Sequence, residues 1–461
     1  MAAVCCFVML AGCTGGSSAA AHPTPSATPA PRTLTGSIGA APFQIEVPAR
    51  WNGTLFLFSH GYVAPGASNP AGGAPDPAVG RWLLDGGNAI AGSSYSSTGW
   101  AVEDALRDQV RLLDYFAHYA GKPKRVIAIG ASLGGMITAG LVQEYPDRFA
   151  GAIPLCGVLA GAVATWNSAL DAAYAFKTLF APQSALQLVN IKDPTANLQL
   201  ARDLLGQAGS TPAAQARIAL IAALTDLPGW FLPTQPEPAA ADYAAQAAAQ
   251  LQWESRVDFP FAFAYRADVE KRAGGNPSWN AGLDYARLLS MSADRDEVTA
   301  LYHAAGLDLD ADLRQLQAGA TIRPDPAAVG YLTKYIDFDG DLRVPVLTMH
   351  TTADGLVVPQ NETAYAGAVR AAGESDRLRQ LFVHRAGHCA FTSAEVIAAI
   401  EVMLRRLDTG RWDDYALAPE AMNATALAQG PADNAIGGLF AASPAFATFA
   451  PGPYLRPATV R

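Results

Sequence analysis

The stretch Arg125-Val126-Ile127-Ala128-Ile129-Gly130-Ala131-Ser132-Leu133-Gly134-Gly135 decides the fold. Its first half is a short, continuous apolar run of the kind that forms a strand buried on both faces. It passes through Gly-x-Ser-x-Gly into an apolar segment with the length of a helix, ending near Tyr145. Upstream, Val102, Leu106, Val110, Leu113 and Phe116 recur at spacings of three and four, which predicts an amphipathic helix over 102–119. Before that helix lie an alternating strand at 43–47, an apolar strand at 54–59 and a short inner strand at 88–92. Downstream, Gly151–Leu155 is the next strand. Strand, helix and strand in succession mean a parallel sheet with helices on its faces, so the fold class is α/β. From about Ala160 the chain is Ala-rich and helical with no strand pattern, and this predicts a large inserted helical cap. The sheet resumes at 344–350, followed by a helix at 360–372, a strand at 378–384 and a last helix that starts with the capping box Thr392-x-x-Glu395.

A serine hydroxyl near neutral pH needs exposure, an imidazole to take its proton and donors to hold an oxyanion. In a tight strand-to-helix turn the residues two before and two after the serine must lack side chains, and Gly130 and Gly134 meet that demand around Ser132. This segment resembles the nucleophile elbow of the α/β-hydrolase family of serine hydrolases, and the likeness extends over 33–159 and 328–407. The resemblance implies a mostly parallel sheet flanked by helices, and the chain order serine, acid, histidine. Asp354 in Thr351-Thr352-Ala353-Asp354-Gly355 and His388 in Ala386-Gly387-His388-Cys389 occupy the matching positions, each just after a strand. His60-Gly61-Tyr62 resembles the oxyanion segment of lipases and esterases, which implies that the N–H groups of Tyr62 and Leu133 hold the developing negative charge. Among the other histidines, His350 is the nearest rival to His388, but it ends a core strand and reads as a hydrogen-bonded packing residue. Cys389, next to His388, resembles the arrangement in tannases and feruloyl esterases, where a disulfide ties the histidine loop near the nucleophile. Here Ala131 rather than Cys precedes Ser132. A Cys156–Cys389 bond would serve instead, against the alternative of two buried thiols.

The composition fits these assignments. The 461 residues are 50% hydrophobic and 16% charged, enough apolar material for a large core plus an insertion. A net charge of −9 with no basic run excludes nucleic acid as a partner. Residues 1–12 read as a signal peptide, and Leu10-Ala11-Gly12-Cys13 resembles a bacterial lipobox, with Cys13 the lipidated residue and a membrane anchor the consequence. An ordinary cleaved signal with an incidental cysteine is the alternative. The expected organisation is a flexible tether at 13–32, an α/β-hydrolase core at 33–159 and 328–415, a helical cap at 160–327 and an irregular extension at 416–461. The Ser-rich loop 92–100 lines the pocket or packs beneath the cap, with a merely solvated loop as the alternative. The alternation Asp337, Asp339, Asp341 lacks the last ligand of a calcium loop and reads as a turn, so no metal and no other cofactor is expected. The expected activity is that of an exported, lipid-anchored serine hydrolase acting on small or polymeric carboxylic esters. A capped aminopeptidase, with Glu237, Glu254 or Asp284 gripping an amine, and a non-catalytic envelope lipoprotein are the alternatives.

Overall fold

The computed structural model describes residues 30–456; the signal peptide, Cys13 and most of the tether lie outside the described residues. The core is a nine-stranded sheet. Its first eight strands in chain order are β1 (Arg32–Ile38), β2 (Ala41–Val47), β3 (Thr54–Ser59), β4 (Ala89–Ser93), β5 (Arg125–Ala131), β6 (Gly151–Leu155), β7 (Val346–Ala353) and β8 (Leu378–Ala386). They lie side by side as β1-β2-β4-β3-β5-β6-β7-β8, with Phe446–Ala447 added at the β8 edge. From β4 to β8 every neighbouring pair is parallel, whereas β1, β2 and the last short strand pair antiparallel at the two edges.

Burial explains which strands the sequence announces. β3, β4 and β6 are buried along their whole length, as a strand covered by helices on both faces must be. β1 is mostly exposed, so no burial pattern marks it. On one face, the helix Val102–Tyr119 seats Leu106, Leu112, Leu113 and Phe116 against the sheet together with the helix Leu133–Glu144. The other face is covered by Pro77–Asp85 and Ser393–Thr409. The former helix has a sequence signal, since Asp76 accepts from the N–H groups of Ala78 and Val79 and Pro77 stands at the first turn. The capping box at Thr392 and Glu395 is formed, and Glu395 also receives both arms of the buried Arg385.

Between β6 and β7 the chain makes helices only, from Ala162–Phe180 through Pro326–Lys334. They enclose their own apolar cluster around Phe176, Leu220, Phe259, Phe263 and Tyr302. The inserted helices run a few residues beyond the predicted boundary, because Pro326–Lys334 packs on cap helices. Asp339 accepts from the N–H of Asp341, making the predicted turn.

The C-terminal extension differs from its irregular reading. It forms the helix Pro419–Leu427, contributes Phe446–Ala447 to the sheet and returns to the cap, where Leu455 is buried and Arg456 pairs with buried Asp171. A two-residue strand and an ion pair across 285 positions leave no periodic trace in sequence.

Candidate active site

Every chemically interesting loop leaves the same edge of the sheet, at the carboxyl ends of the parallel strands, where open α/β sheets bind ligands. Ser132 follows β5, Asp354 follows β7 and His388 follows β8. His60 follows β3 and Cys156 follows β6.

Ser132 sits at φ 61°, ψ −126°, a strained conformation for a residue with a side chain. Its N–H is tied to the Leu155 carbonyl at 2.9 Å, and its carbonyl accepts from Gly135 and Met136. The turn is as crowded as the motif demands. A Cβ on Gly130 would lie 2.6 Å from the Ser59 carbonyl oxygen, and one on Gly134 would lie 2.6 Å from that of His60.

The three side chains form one hydrogen-bonded chain. His388 Nε2 is 2.8 Å from Ser132 Oγ, and His388 Nδ1 is 2.7 Å from Asp354 Oδ2. Asp354 is fully buried, and its Oδ1 accepts from the N–H groups of Leu356 and Val357, each at 3.0 Å. Burial opposes its charge, but His388 and the bond from His350 outweigh that and hold its carboxyl well below the usual carboxylate range. An ionised carboxylate facing Nδ1 fixes the tautomer in which Nδ1 carries the proton, leaving Nε2 free to accept one from the hydroxyl. The His388 turn is itself held, since Gly387 donates to Ala353 and its carbonyl accepts from Thr351 Oγ1.

Gly61 runs against Ser132, whose Cβ would stand 3.2 Å from a Cβ at that position. His60 Nδ1 donates to the Gly61 carbonyl, Nε2 accepts from Asn69, and the ring stacks on Tyr95, whose hydroxyl donates to the His60 carbonyl. These bonds hold the turn that carries Tyr62. Among the described residues neither the Tyr62 nor the Leu133 N–H donates to a protein group, and both residues line the same cavity as Ser132. The Leu133 N–H also opens the helix that follows Ser132, where the aligned peptide dipoles favour negative charge.

Cys156 and Cys389 are bonded, with their Cα atoms 5.5 Å apart. The bridge joins the His388 loop to the end of β6, beside the nucleophile strand. The two sulfurs and His388 cluster closely, but sulfurs bonded to each other offer no thiolate to a metal.

The cavity over Ser132 encloses about 860 Å³ including its open mouth. Trp166 and Phe261 from the cap, Trp100 from the Ser-rich loop and Tyr454 from the C-terminal extension bring aromatic rings to a wall that is otherwise mostly aliphatic, with Leu133, Val158, Leu227, Leu356 and Val358 among its residues. The loop before Trp100 therefore does both predicted jobs, because Arg272 of the cap also bonds Ser97 and the Thr98 carbonyl. Asp258 brings a carboxyl to this wall, pushed well up by burial and then by Glu254 and Asp354. Of the three acids considered for an amine, Glu254 is buried one turn from Asp258, Glu237 pairs with His384 at 3.0 Å away from the site, and Asp284 caps a helix. Sequence reasoning missed Tyr454, Asp258 and Trp253. The last packs so closely on Gly355 that a Cβ there would meet its Cγ at 2.6 Å, which seats the cap on the Asp354 loop.

A sequence profile of the prolyl oligopeptidase family matches residues 92–185, the segment that contains the Ser132 turn. The chain is 29% identical over 426 residues to an o-phthalyl amidase from Xanthobacter agilis, covering 85% of this chain and 91% of that protein. Among solved structures it is similar to an esterase from Aspergillus oryzae, with a TM-score of 0.41 at 12% identity over 82% of this chain and 79% of that one. Feruloyl esterase B from the same organism gives 0.40 at 14% identity over 83% and 81%. With the matched segment holding a strained serine, and the sheet ordered so that three loop ends meet beside it, the chain has the α/β-hydrolase fold with the serine, histidine and aspartate of a serine hydrolase in contact, and it is similar over most of its length to an amidase.

Proposed function

We propose that this chain cleaves carboxylic esters, and amides of the same acids, through an acyl-enzyme on Ser132, and that its preferred acyl group is compact and aromatic. The observation that carries the reading is the unbroken hydrogen-bonded chain from Asp354 through His388 to Ser132 at the floor of an apolar cavity to which Tyr62, Trp100, Trp166, Phe261 and Tyr454 contribute rings. Ser132 Oγ attacks the carbonyl carbon as His388 Nε2 takes its proton, and the oxyanion forms against the N–H groups of Tyr62 and Leu133. His388 returns that proton to the leaving oxygen or nitrogen as the acyl bond breaks. Water then enters by the same proton route and frees the acid. Similarity to an amidase supports including amides, and an enzyme able to expel an amine also expels the better-leaving alcohol from the same acyl group. The cavity wall supports an aromatic guest, and Asp258 offers that guest one hydrogen-bonding group. The disulfide supports the oxidising, exported location expected from the N-terminus.

A second reading, a peptidase acting on free amino termini, is supported by Asp258, a carboxyl on the cavity wall with buried Glu254 one turn behind it. A panel of p-nitrophenyl esters, aroyl anilides and free aminoacyl anilides separates the two. Benzoyl-type esters and anilides are expected to exceed acetyl and aminoacyl substrates by about 10–100-fold in kcat/KM, the worth of burying one ring. Preference for free aminoacyl anilides selects the second reading, and turnover of no acyl substrate removes both.

A further inference from the structure

Behind Asp354 lies a second buried imidazole that the proton route does not use. His350, within β7 and not at its end as the sequence pattern suggests, has no exposed surface. Its Nδ1 is 3.0 Å from Glu362 Oε1, and its Nε2 is 2.7 Å from the Val357 carbonyl oxygen and 3.6 Å from Asp354 Oδ2. With Glu362 ionised, both nitrogens face acceptors and both donate, and an imidazole that donates twice carries a positive charge. Glu362 matches this from the other side, since Thr348 Oγ1, Gln380 Nε2 and His350 all point donors at it.

The surrounding charges agree. Asp354 and Val357 come from the loop after β7, Glu362 and the Tyr365 hydroxyl from the helix Gln360–Ala372, His388 from the loop after β8, and Asp258 with Glu254 behind it from the cap. Burial works against charge on His350, yet Asp354 and Glu362 outweigh it and push its pKa up to about 10.

We infer that His350 is a positioning residue for the reaction: a standing imidazolium, anchored by Glu362, that partly offsets the Asp354 charge and so limits how firmly His388 holds the proton it takes from Ser132. This rests on the acyl-enzyme reading above. A carboxylate whose field is shared between two imidazoles grips each less strongly. Taking His350 away leaves all of the Asp354 charge to His388, which then stays protonated, and unable to accept, to a higher pH.

Histidine-labelled protein carrying Ser132→Ala, which needs no turnover, reads the charge directly by nitrogen NMR. The expected result is a His350 ring protonated on both nitrogens at pH 8, titrating at least one unit lower in Glu362→Gln; a neutral ring at pH 8 overturns the inference. In the active protein, His350→Gln is expected to move the acidic limb of kcat/KM up by about one pH unit. Below that limb this is about a tenfold loss. A uniform loss with an unmoved limb means His350 only packs, and overturns the inference as well. Stability gives a third readout. A group near 6.5 unfolded and raised to about 10 when folded stabilises fully below pH 6.5 and loses that contribution as pH rises through 10. The melting-temperature gap between wild type and His350→Gln should therefore narrow from pH 7 to pH 10, and a constant gap contradicts the charge. If His350→Gln does not fold, the spectrum of the histidine-bearing protein still decides. Failure of the acyl-enzyme reading would leave that spectrum unchanged, so the two can fail separately.

Discussion

Asp354→Asn is expected to lower kcat by about 10⁴-fold while KM changes little. The reason is which atom the amide must put where. Oδ1 of Asp354 receives two backbone N–H groups, from Leu356 and Val357, so an asparagine keeps its oxygen there. Its NH₂ group is then turned toward His388 Nδ1, where the carboxylate oxygen stood. A donor at that place forces the proton of the neutral ring onto Nε2, and a protonated Nε2 cannot accept from Ser132. The same NH₂ group also approaches His350, which loses half of its counter-charge. A stability loss of about 3 kcal/mol accompanies the change, as when one partner of a buried ionic network is removed. Steady-state kinetics with a fast ester, beside a melting curve, checks both. A fall of less than tenfold in kcat would mean that Asp354 does not orient His388.

Gly134→Ala is the second large effect. The added methyl would meet the carbonyl oxygens of Ser59 and His60, which are backbone atoms at the end of fully buried β3 and cannot swing aside. Gln109 holds that strand end further by bonding the Phe58 carbonyl and the Ser59 hydroxyl. Either the helix Leu133–Glu144 or the 60–62 segment must move, and each carries one of the two N–H groups aimed at the oxyanion. The expected cost is about 3 kcal/mol of stability or more. A loss of about 10²–10³-fold in kcat, the worth of one such donor, is expected in the protein that remains folded. Gly72→Ala, where a methyl meets nothing, is the control and should stay within about 0.5 kcal/mol of wild type. Equal behaviour of the two variants would show that the turn is not as tight as the structure makes it.

How much of this was legible in sequence depended on whether a feature leaves a local pattern. The inner strands did, because burial on both faces requires continuous apolar runs such as Thr54–Ser59 and Gly151–Leu155. The helices Val102–Tyr119 and Gln360–Ala372 were readable at their ends, the former from its apolar stripe. Exposed β1 and the two-residue edge strand at Phe446 were not, since an edge held by backbone bonds asks little of its side chains. The serine, acid and histidine were legible from their places after strands. What surrounds them was not. Glu362 and His350 are twelve positions apart with a loop between them, and Tyr454 reaches the cavity on a segment held to the cap by buried Leu455 and by Arg456 on Asp171. Cys156 and Cys389 were readable as a possible pair, but only the fold shows that β6 and the His388 loop end side by side.

The most direct measurement is peptide mapping by mass spectrometry after brief exposure of the folded protein to a fluorophosphonate. Such a reagent is attacked by a serine whose proton an imidazole can take. A single adduct on the peptide bearing Ser132, absent from Ser132→Ala and much slower to form in His388→Ala, is the expected result. A folded protein that takes up no label, or that keeps its label in Ser132→Ala, would contradict it.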